Sequence, residues 1–183
     1  MSILTGGNVL IDTALILAKS KVMEKMTIAD LGCGASGHFV FPFARIVGKK
    51  GIVYAVDILK TVLETIAKRA RIENYDNIKT VWSNLEIFGA TKIESASIDI
   101  TLLINTLFQS RKRAEIIREA VRMIKHDGRL MVVEWKNTFA LFGPPIEERV
   151  NKELTITIAN KLGMRLEEEF EAGQYHYGLI FIK

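Results

Sequence analysis

Three glycines follow a short apolar run, and their spacing is one that can bind a nucleotide. Gly32, Gly34 and Gly37 satisfy the pattern G-x-G-x-x-G directly after the segment 28–31. Glycine lets the backbone adopt positive φ and lets a ligand approach it closely, and the N–H groups that start a following helix favour polar or anionic ligand groups. Because such turns also occur for steric reasons alone, the pattern needs support from a second motif.

A carboxylate after the next apolar run supplies that support. Asp57 follows the residues 53–56 and lies about 20 positions beyond the last glycine, as dinucleotide sites require. An acid at the end of a second strand can accept two hydrogen bonds from ribose hydroxyls. A simpler alternative is that Asp57 caps the helix that follows. Together the two motifs favour a nucleoside site, for a nicotinamide dinucleotide or for S-adenosylmethionine.

Three other groups of polar residues are predicted at the same edge of a sheet. His38 follows the glycines, Glu134 ends an apolar run before Trp135, and residues 175–177 open the last strand. Histidines and carboxylates are common acid–base groups, although a lone histidine is more often structural. Glu134 is the best of these candidates because it ends a predicted parallel strand.

A basic run, Arg111, Lys112 and Arg113, is predicted to open the helix after the fourth strand. Cations at a helix N-terminus oppose the macrodipole by ~0.3–1 kcal/mol each, so the run can mark a site for a negative group. Glu115 and Glu119 on the same helix would relieve part of that cost. We favour a solvated basic turn and keep binding of an acidic substrate group as the alternative.

The apolar pattern predicts the elements that must hold these residues in place. Short β-rich runs alternate with stretches of helical spacing, which is typical of a mainly parallel sheet covered by helices. The predicted strands are 27–31, 52–56, 78–82, 98–104, 129–135 and 177–182. After the last helix, residues 165–172 and 175–183 form an antiparallel pair joined around Gly173.

Four helical stripes lie at 10–18, 59–70, 117–124 and 150–162. The segments 48–51 and 126–128 are each predicted to close a helix and lead into a strand. Residues 143–148, with two prolines and then two acids, are predicted to open the last helix. Pro42 is expected to disturb the first turns of the helix after the glycines.

Length, composition and charge favour one domain, 1–183, with its own core. The chain has 183 residues, of which 49% are hydrophobic and 25% charged. A net charge of +4 permits a nucleic-acid partner without indicating one. The single cysteine, Cys33, cannot form an internal disulfide and favours a reducing compartment. Because no apolar run approaches the ~18 residues of a membrane span and the first residues lack a signal-peptide pattern, we expect a cytoplasmic protein.

The segment 30–34, Asp-Leu-Gly-Cys-Gly, resembles the first motif of class I S-adenosylmethionine-dependent methyltransferases. In that family an acid two residues before the first glycine is characteristic, whereas nicotinamide-binding domains usually have an apolar residue there. The acid after the second strand and the segments 82–86, 97–108 and 123–130 resemble the later motifs in order. The resemblance covers residues 8–183. It implies a doubly wound, mainly parallel seven-stranded α/β sheet with helices on both faces and an antiparallel C-terminal edge hairpin.

The resemblance also implies a set of residues that bind S-adenosylmethionine: Asp30, Gly32, Gly34, Asp57, Ile58, Asn84, Leu85 and Asn105. The glycines would pass beneath the methionine part of the cofactor, and Asp30 would anchor their loop. Asp57 would hold the ribose hydroxyls.

The remaining residues of that set would contact the adenine and the reacting group. Ile58 would pack on one adenine face, while the Asn84 side chain and the Leu85 N–H would read the adenine edge. Asn105 would lie beside the methionine amino group and the transferred methyl. The family usually has Asp at position 84, and since an amide both donates and accepts, adenine recognition is still expected.

The resemblance predicts methyl transfer, most simply to a small molecule, and the acceptor stays unidentified. No proline follows Asn105, which disfavours the amino-methylating nucleic-acid enzymes. The only cysteine lies in the cofactor loop, which disfavours cytosine-C5 chemistry, and no carboxylate cluster indicates Mg²⁺. A nicotinamide-dependent oxidoreductase, an RNA or protein methyltransferase and a non-catalytic adaptor remain as alternatives. The sequence assigns no catalytic residue, no metal ligand and no oligomeric state.

Overall fold

The computed structural model describes residues 10–138, 140 and 142–183. Within them the α-helices are α1 (Thr13–Ser20), α2 (Val40–Val47), α3 (Lys60–Ile72), α4 (Arg113–Met123) and α5 (Lys152–Lys161). The strands are β1 (Thr27–Leu31), β2 (Ile52–Asp57), β3 (Ile78–Trp82), β4 (Ile98–Ile104), β5 (Ile124–Trp135), β6 (Arg165–Gly173) and β7 (His176–Ile182). No helix in this described part has the length and apolar character that crossing a bilayer requires.

The seven strands form one sheet in the order β3-β2-β1-β4-β5-β7-β6. The first five strands are parallel, and β7 runs antiparallel between β5 and β6. This confirms the predicted fold class, including the antiparallel hairpin at the edge. Strand order reverses between β1 and β4, and open α/β sheets bind ligands in the crevice outside the carboxyl ends of such a pair.

Helices cover both faces of the sheet. One apolar cluster contains Ile16 of α1, Phe43 of α2 and Ile66 of α3, and a second contains Ile117 of α4 and Ala159 of α5. Strands β1 and β4 are buried along nearly their whole length, as a parallel strand between two helical layers requires. The rigid centre of the sheet therefore fixes the two strand ends where the crevice opens.

The prediction that 126–128 closes a helix is wrong. Helix α4 ends at Met123, and Ile124 already has extended backbone and pairs with Ile98. The register between β4 and β5 then shifts, and Asp127 adopts a φ of 62°. Because the β-branched Ile124 already pairs with β4, residues 126–128 form a bulge inside the range of β5 and do not close a helix.

The expected disturbance by Pro42 is also wrong. Helix α2 begins only at Val40, with Phe39 before it, so Pro42 occupies the third helical position and His38 lies outside the helix. The N–H groups of a first turn have no partner within the helix, so a proline costs no hydrogen bond there.

The last helix begins later than residues 143–148 predicted. Ile146–Glu148 forms a separate 3-10 turn, and the backbone of Arg149 is extended. Asn151 caps α5 instead, with its side-chain oxygen accepting from the N–H of Leu154 at 2.7 Å. Proline and acids do open a helical turn here, but a side-chain cap six residues after Pro145 sets the start of the α-helix.

Candidate functional site

A cavity of about 350 Å³ opens at the carboxyl edge of the parallel strands. Its walls include six of the eight predicted binding residues: Gly32, Gly34, Asp57, Ile58, Asn84 and Leu85. Thr106, Gln109 and Ser110, which follow β4, close the opposite side. The cavity therefore lies at the point where the strand order reverses, as predicted for a ligand of an open α/β sheet.

The glycine turn is tied to the end of β2. The N–H groups of Gly32 and Cys33 both donate to the carbonyl of Val56, at 2.8 and 3.1 Å. Gly32 and Gly34 have φ values of 81° and 64°, which favour glycine. A Cβ on Gly32 would lie 2.7 Å from Oγ1 of Thr106, whereas a Cβ on Gly34 would contact nothing. The backbone beside Gly34 is thus open to an approaching ligand.

Asp57 accepts backbone N–H groups on both oxygens, but it does not cap α3, because the N-cap position is Leu59 and has no side-chain cap. Its Oδ1 accepts from the N–H of Leu59 at 2.9 Å, just before α3, and its Oδ2 accepts from the N–H of Gly34 at 3.2 Å. The side chain is 9% exposed and lines the cavity. A carboxylate has about four acceptor positions, so these two bonds leave acceptor capacity for ribose hydroxyls.

Asp30 and Asn105 are buried and are not among the described residues that line the cavity. Burial, and then the charge of Asp57, raises the pKa of Asp30 to about 7. One carboxylate oxygen of Asp30 has no hydrogen-bond partner within the described residues. Asn105 has a φ of 53° and accepts at its carbonyl from Nε2 of Gln109 at 2.8 Å. Asn105 thus positions a residue that faces the cavity.

Apolar side chains mark the other end of the cavity. Ile58 is 53% exposed, and its carbonyl accepts from Nε1 of Trp82 at 2.8 Å. Oδ1 of Asn84 accepts from the N–H of Glu86 at 3.0 Å, so the amide NH₂ is the part of Asn84 that can donate to a ligand. An exposed apolar face beside an amide donor suits a flat heterocycle with polar edges.

The loop after β3 is supported by a residue that was not among the predicted site residues. Glu119, predicted to relieve the basic run, is fully buried and accepts from the N–H groups of Gly89 at 2.7 Å and Thr91 at 3.0 Å. Burial opposes ionisation, but the Arg122 guanidinium and these N–H groups outweigh it and hold the pKa of Glu119 at about 2. The spacing of Glu119 and Arg122 on one helix face is the only sign of their ion pair in the sequence. Gly89 and Thr91, whose N–H groups donate to Glu119, lie far from it in the sequence.

None of the three predicted acid–base candidates faces the cavity. Nε2 of His38 lies 2.8 Å from Oγ1 of Thr13, and burial lowers the pKa of His38. Glu134 is fully buried, and burial raises its pKa to about 8. His176 is buried against Trp135, with ring centroids 4.3 Å apart, and burial lowers its pKa to about 4. The sequence placed them at the right edge but could not show which way they pack.

The basic run opens α4 as predicted, but its three cations differ in role. Nε of Arg113 donates to the carbonyls of Leu107 and Ser110, and Nη2 donates to the carbonyl of Glu148 at 2.6 Å. Nζ of Lys112 lies 3.6 Å from the carboxylate of Glu86. The Arg111 side chain has no such partner within the described residues. Arg113 is therefore structural, Lys112 forms only an exposed ion pair, and Arg111 stays available.

Comparison with known proteins agrees with this geometry. A family model described as "Methyltransferase domain" matches residues 23–173. Human arsenite methyltransferase is 28% identical over 138 residues, which are 72% of this chain and 36% of that protein. The ubiquinone/menaquinone biosynthesis C-methyltransferase of Photorhabdus laumondii is 27% identical over 159 residues, which are 86% of this chain and 59% of that protein. The chain thus spans less than two thirds of these curated relatives.

Solved structures share the whole fold. A SAM-dependent methyltransferase from Aquifex aeolicus superposes with a TM-score of 0.85 and 23% identity, covering 96% of this chain and 92% of that one. A type 11 methyltransferase from Sulfolobus solfataricus gives 0.74 and 22%, covering 94% and 92%. Because these structures are less than 25% identical to this chain, they show its fold alone. The family model matches most of the sequence and therefore shows the family. The chain belongs to the methyltransferase domain family and has its class I α/β fold.

Proposed function

We propose that this chain binds S-adenosylmethionine in the 350 Å³ cavity and transfers its methyl group to a small molecule. The observation that carries the proposal is the pairing of Asp57 with the N–H of Gly34 across the cavity floor. That contact supports the proposal because it brings a carboxylate that could accept from ribose hydroxyls beside an open glycine turn. The volume also lies in the range of small-molecule sites, about 300–1,000 Å³.

The residues present fit the cofactor along the cavity. Asp57 would hold the ribose hydroxyls, Ile58 would cover an adenine face, and Asn84 with the Leu85 N–H would bind the adenine edge. Gly34 leaves open space at the backbone for the methionine part. Asp30 and Asn105 would act from beneath, by supporting the glycine turn and Gln109.

Bound S-adenosylmethionine supplies an electrophilic methyl group on a sulfonium. The chain would accelerate the transfer mainly by holding the acceptor in line with that group, since positioning alone can contribute several kcal/mol (~7–11 in favourable cases). We assign no acid or base to the reaction, because the buried Glu134 and His176 lie away from the cavity. A small-molecule acceptor is supported by the two curated relatives, which are named for arsenite and quinone methylation.

The cofactor experiment is titration calorimetry with S-adenosylhomocysteine and with NAD⁺ in parallel. We expect S-adenosylhomocysteine to bind with one site per chain and NAD⁺ to give no heat of binding. Binding of NAD⁺ alone would favour the oxidoreductase, and binding of neither would favour an adaptor.

The single domain over 1–183 and the cytoplasmic location stay predictions.

A further inference from the structure

A second cavity, of about 460 Å³, adjoins the first, and the two share Gln109 and Ser110. Its other described walls are Phe108, Arg111, Arg113, Glu147 and Glu148. These residues come from two segments, one after β4 and one before α5. The second cavity thus lies beside the first one, on the side of the segment that follows β4.

The walls of the second cavity are joined by one side chain. Arg113 donates from Nε to the carbonyls of Leu107 at 3.2 Å and Ser110 at 3.1 Å, and from Nη2 to the carbonyl of Glu148 at 2.6 Å. The Ser110 hydroxyl in turn donates to Oε1 of Glu86 at 2.6 Å. Because guanidinium bonds to several carbonyls fix geometry, Arg113 holds the segment after β4 and the segment before α5 together.

Charges of both signs line the second cavity, and they do not pair with each other. Within the described residues, no ion pair or hydrogen bond involves the side chains of Arg111, Glu147 or Glu148. Every hydrogen bond described for Arg113 goes to a neutral carbonyl, and among the described residues it forms no ion pair with Glu147 or Glu148. Arg111, Glu147 and Glu148 are exposed, so water solvates their charges, and a ligand that carries both signs could make complementary contacts with all three.

We propose that the second cavity binds the methyl acceptor, and that the acceptor is a small zwitterion. An acidic group on it would meet Arg111, and a protonated amine would meet Glu147 and Glu148. Phe108, which is half-buried, would pack against the carbon skeleton between the two groups. This inference rests on the proposed function, since an acceptor has meaning only beside a bound cofactor.

The first test uses saturation-transfer NMR on the protein saturated with S-adenosylhomocysteine. The probes are the twenty standard amino acids and, for each one that binds, the amine without its carboxylate and the acid without its amine. We expect at least one amino acid to bind and both truncated probes to bind about tenfold more weakly, since each loses one charge-assisted contact. Failure of every amino acid to bind, or equal binding of a truncated probe, overturns the proposal.

The second test uses variants of the two unpaired charges. Arg111→Gln and Glu148→Gln should each lower the affinity of the bound amino acid about tenfold without changing the affinity for S-adenosylhomocysteine. Arg71→Gln, which removes an exposed cation from α3, is the matched control and should change neither. Unchanged amino-acid affinity in both variants overturns this inference alone. Absence of S-adenosylhomocysteine binding in the unaltered protein would instead overturn the proposed function.

Discussion

Glu134 at the end of β5 accepts a hydrogen bond of 2.6 Å from the backbone N–H of Leu107, which begins the 3-10 turn after β4. The carboxylate is fully buried, and its other oxygen has no partner within the described residues. The turn that it supports carries Gln109 and Ser110, which line both cavities. Glu134 therefore supports the backbone beside both cavities, while its side chain is not among the described residues that line them.

This buried acid should make folding stability depend on pH. Burial raises the pKa of Glu134 to about 8 from a reference of 4.5, so the folded chain binds a proton that the unfolded chain releases. The free energy of unfolding should thus fall as pH rises through that window, by up to ~1.4 kcal/mol per pH unit. Glu134→Gln should have a flatter profile in urea titrations across the same pH range. Parallel profiles would show that Glu134 does not titrate in the folded protein.

Asp57→Ala should weaken cofactor binding and leave the fold intact. The variant removes the proposed acceptor for two ribose hydroxyls, a loss of ~1.5–3 kcal/mol, or roughly ten- to a hundredfold in affinity. It also removes the acceptor of the Gly34 and Leu59 N–H groups, which should cost about 1–3 kcal/mol of stability. Calorimetry with S-adenosylhomocysteine measures the first effect and thermal unfolding the second. Asp76→Ala, at an exposed site before β3, is the control; equal affinities in the two variants would disprove the ribose role.

The strand ends of the site could be predicted from the sequence, because local patterns determine them. Thr27–Leu31, Ile78–Trp82 and Ile98–Ile104 coincide with the predicted strands. The edge strand β3 is partly exposed and is predicted by its β-branched and aromatic residues, while β1 and β4 are buried and come from mainly apolar runs. The positions of Gly32 and Asp57 follow directly, as each comes immediately after such a run.

The supports of the site could not be predicted in the same way. Glu119 holds the backbone of Gly89 and Thr91, and Arg113 holds the carbonyl of Glu148. Backbone N–H and C=O groups are present at every residue, so the sequence carries no sign of which ones a distant side chain will choose. The inward packing of Glu134 could not be predicted either, because its partner is the backbone N–H of Leu107.

Alanine at the two glycines of the turn should give different losses of stability. In Gly34→Ala the new Cβ would contact no atom, so the loss of stability would come only from the φ of 64° and should be about 1–2 kcal/mol. Gly32→Ala should lose a similar amount of stability through its backbone conformation. Its Cβ would also lie 2.7 Å from Oγ1 of Thr106, and this overpacking should cost a further ~1–3 kcal/mol. Thermal unfolding of both variants tests the order, and an equal loss would mean that Thr106 moves aside freely.

Cys33 should be dispensable for chemistry. It is 2% exposed, and burial, followed by the charges of Asp30 and Asp57, raises the pKa of its thiol. A protonated, buried thiol is a poor nucleophile, so alkylation by iodoacetamide should be slow in the folded protein and fast after denaturation. Cys33→Ala should keep cofactor affinity and any turnover. Lost turnover with intact binding would instead point to a cysteine nucleophile.

Arg111 and Arg113 are neighbours in one basic run, yet glutamine at the two positions should change stability in opposite directions. Arg113→Gln removes the donors that reach the carbonyls of Leu107, Ser110 and Glu148, and leaving such groups without partners should cost about 1–3 kcal/mol.

Arg111→Gln removes only a cation near the positive end of α4 and should gain ~0.3–1 kcal/mol at low salt. Because salt screens that unfavourable interaction, the gain should shrink as ionic strength rises, whereas the loss in Arg113→Gln should persist. Thermal unfolding of both variants at low and high salt separates the two effects. A stabilised Arg113→Gln would show that its carbonyl contacts contribute nothing, and the joined walls of the second cavity would then lose their support.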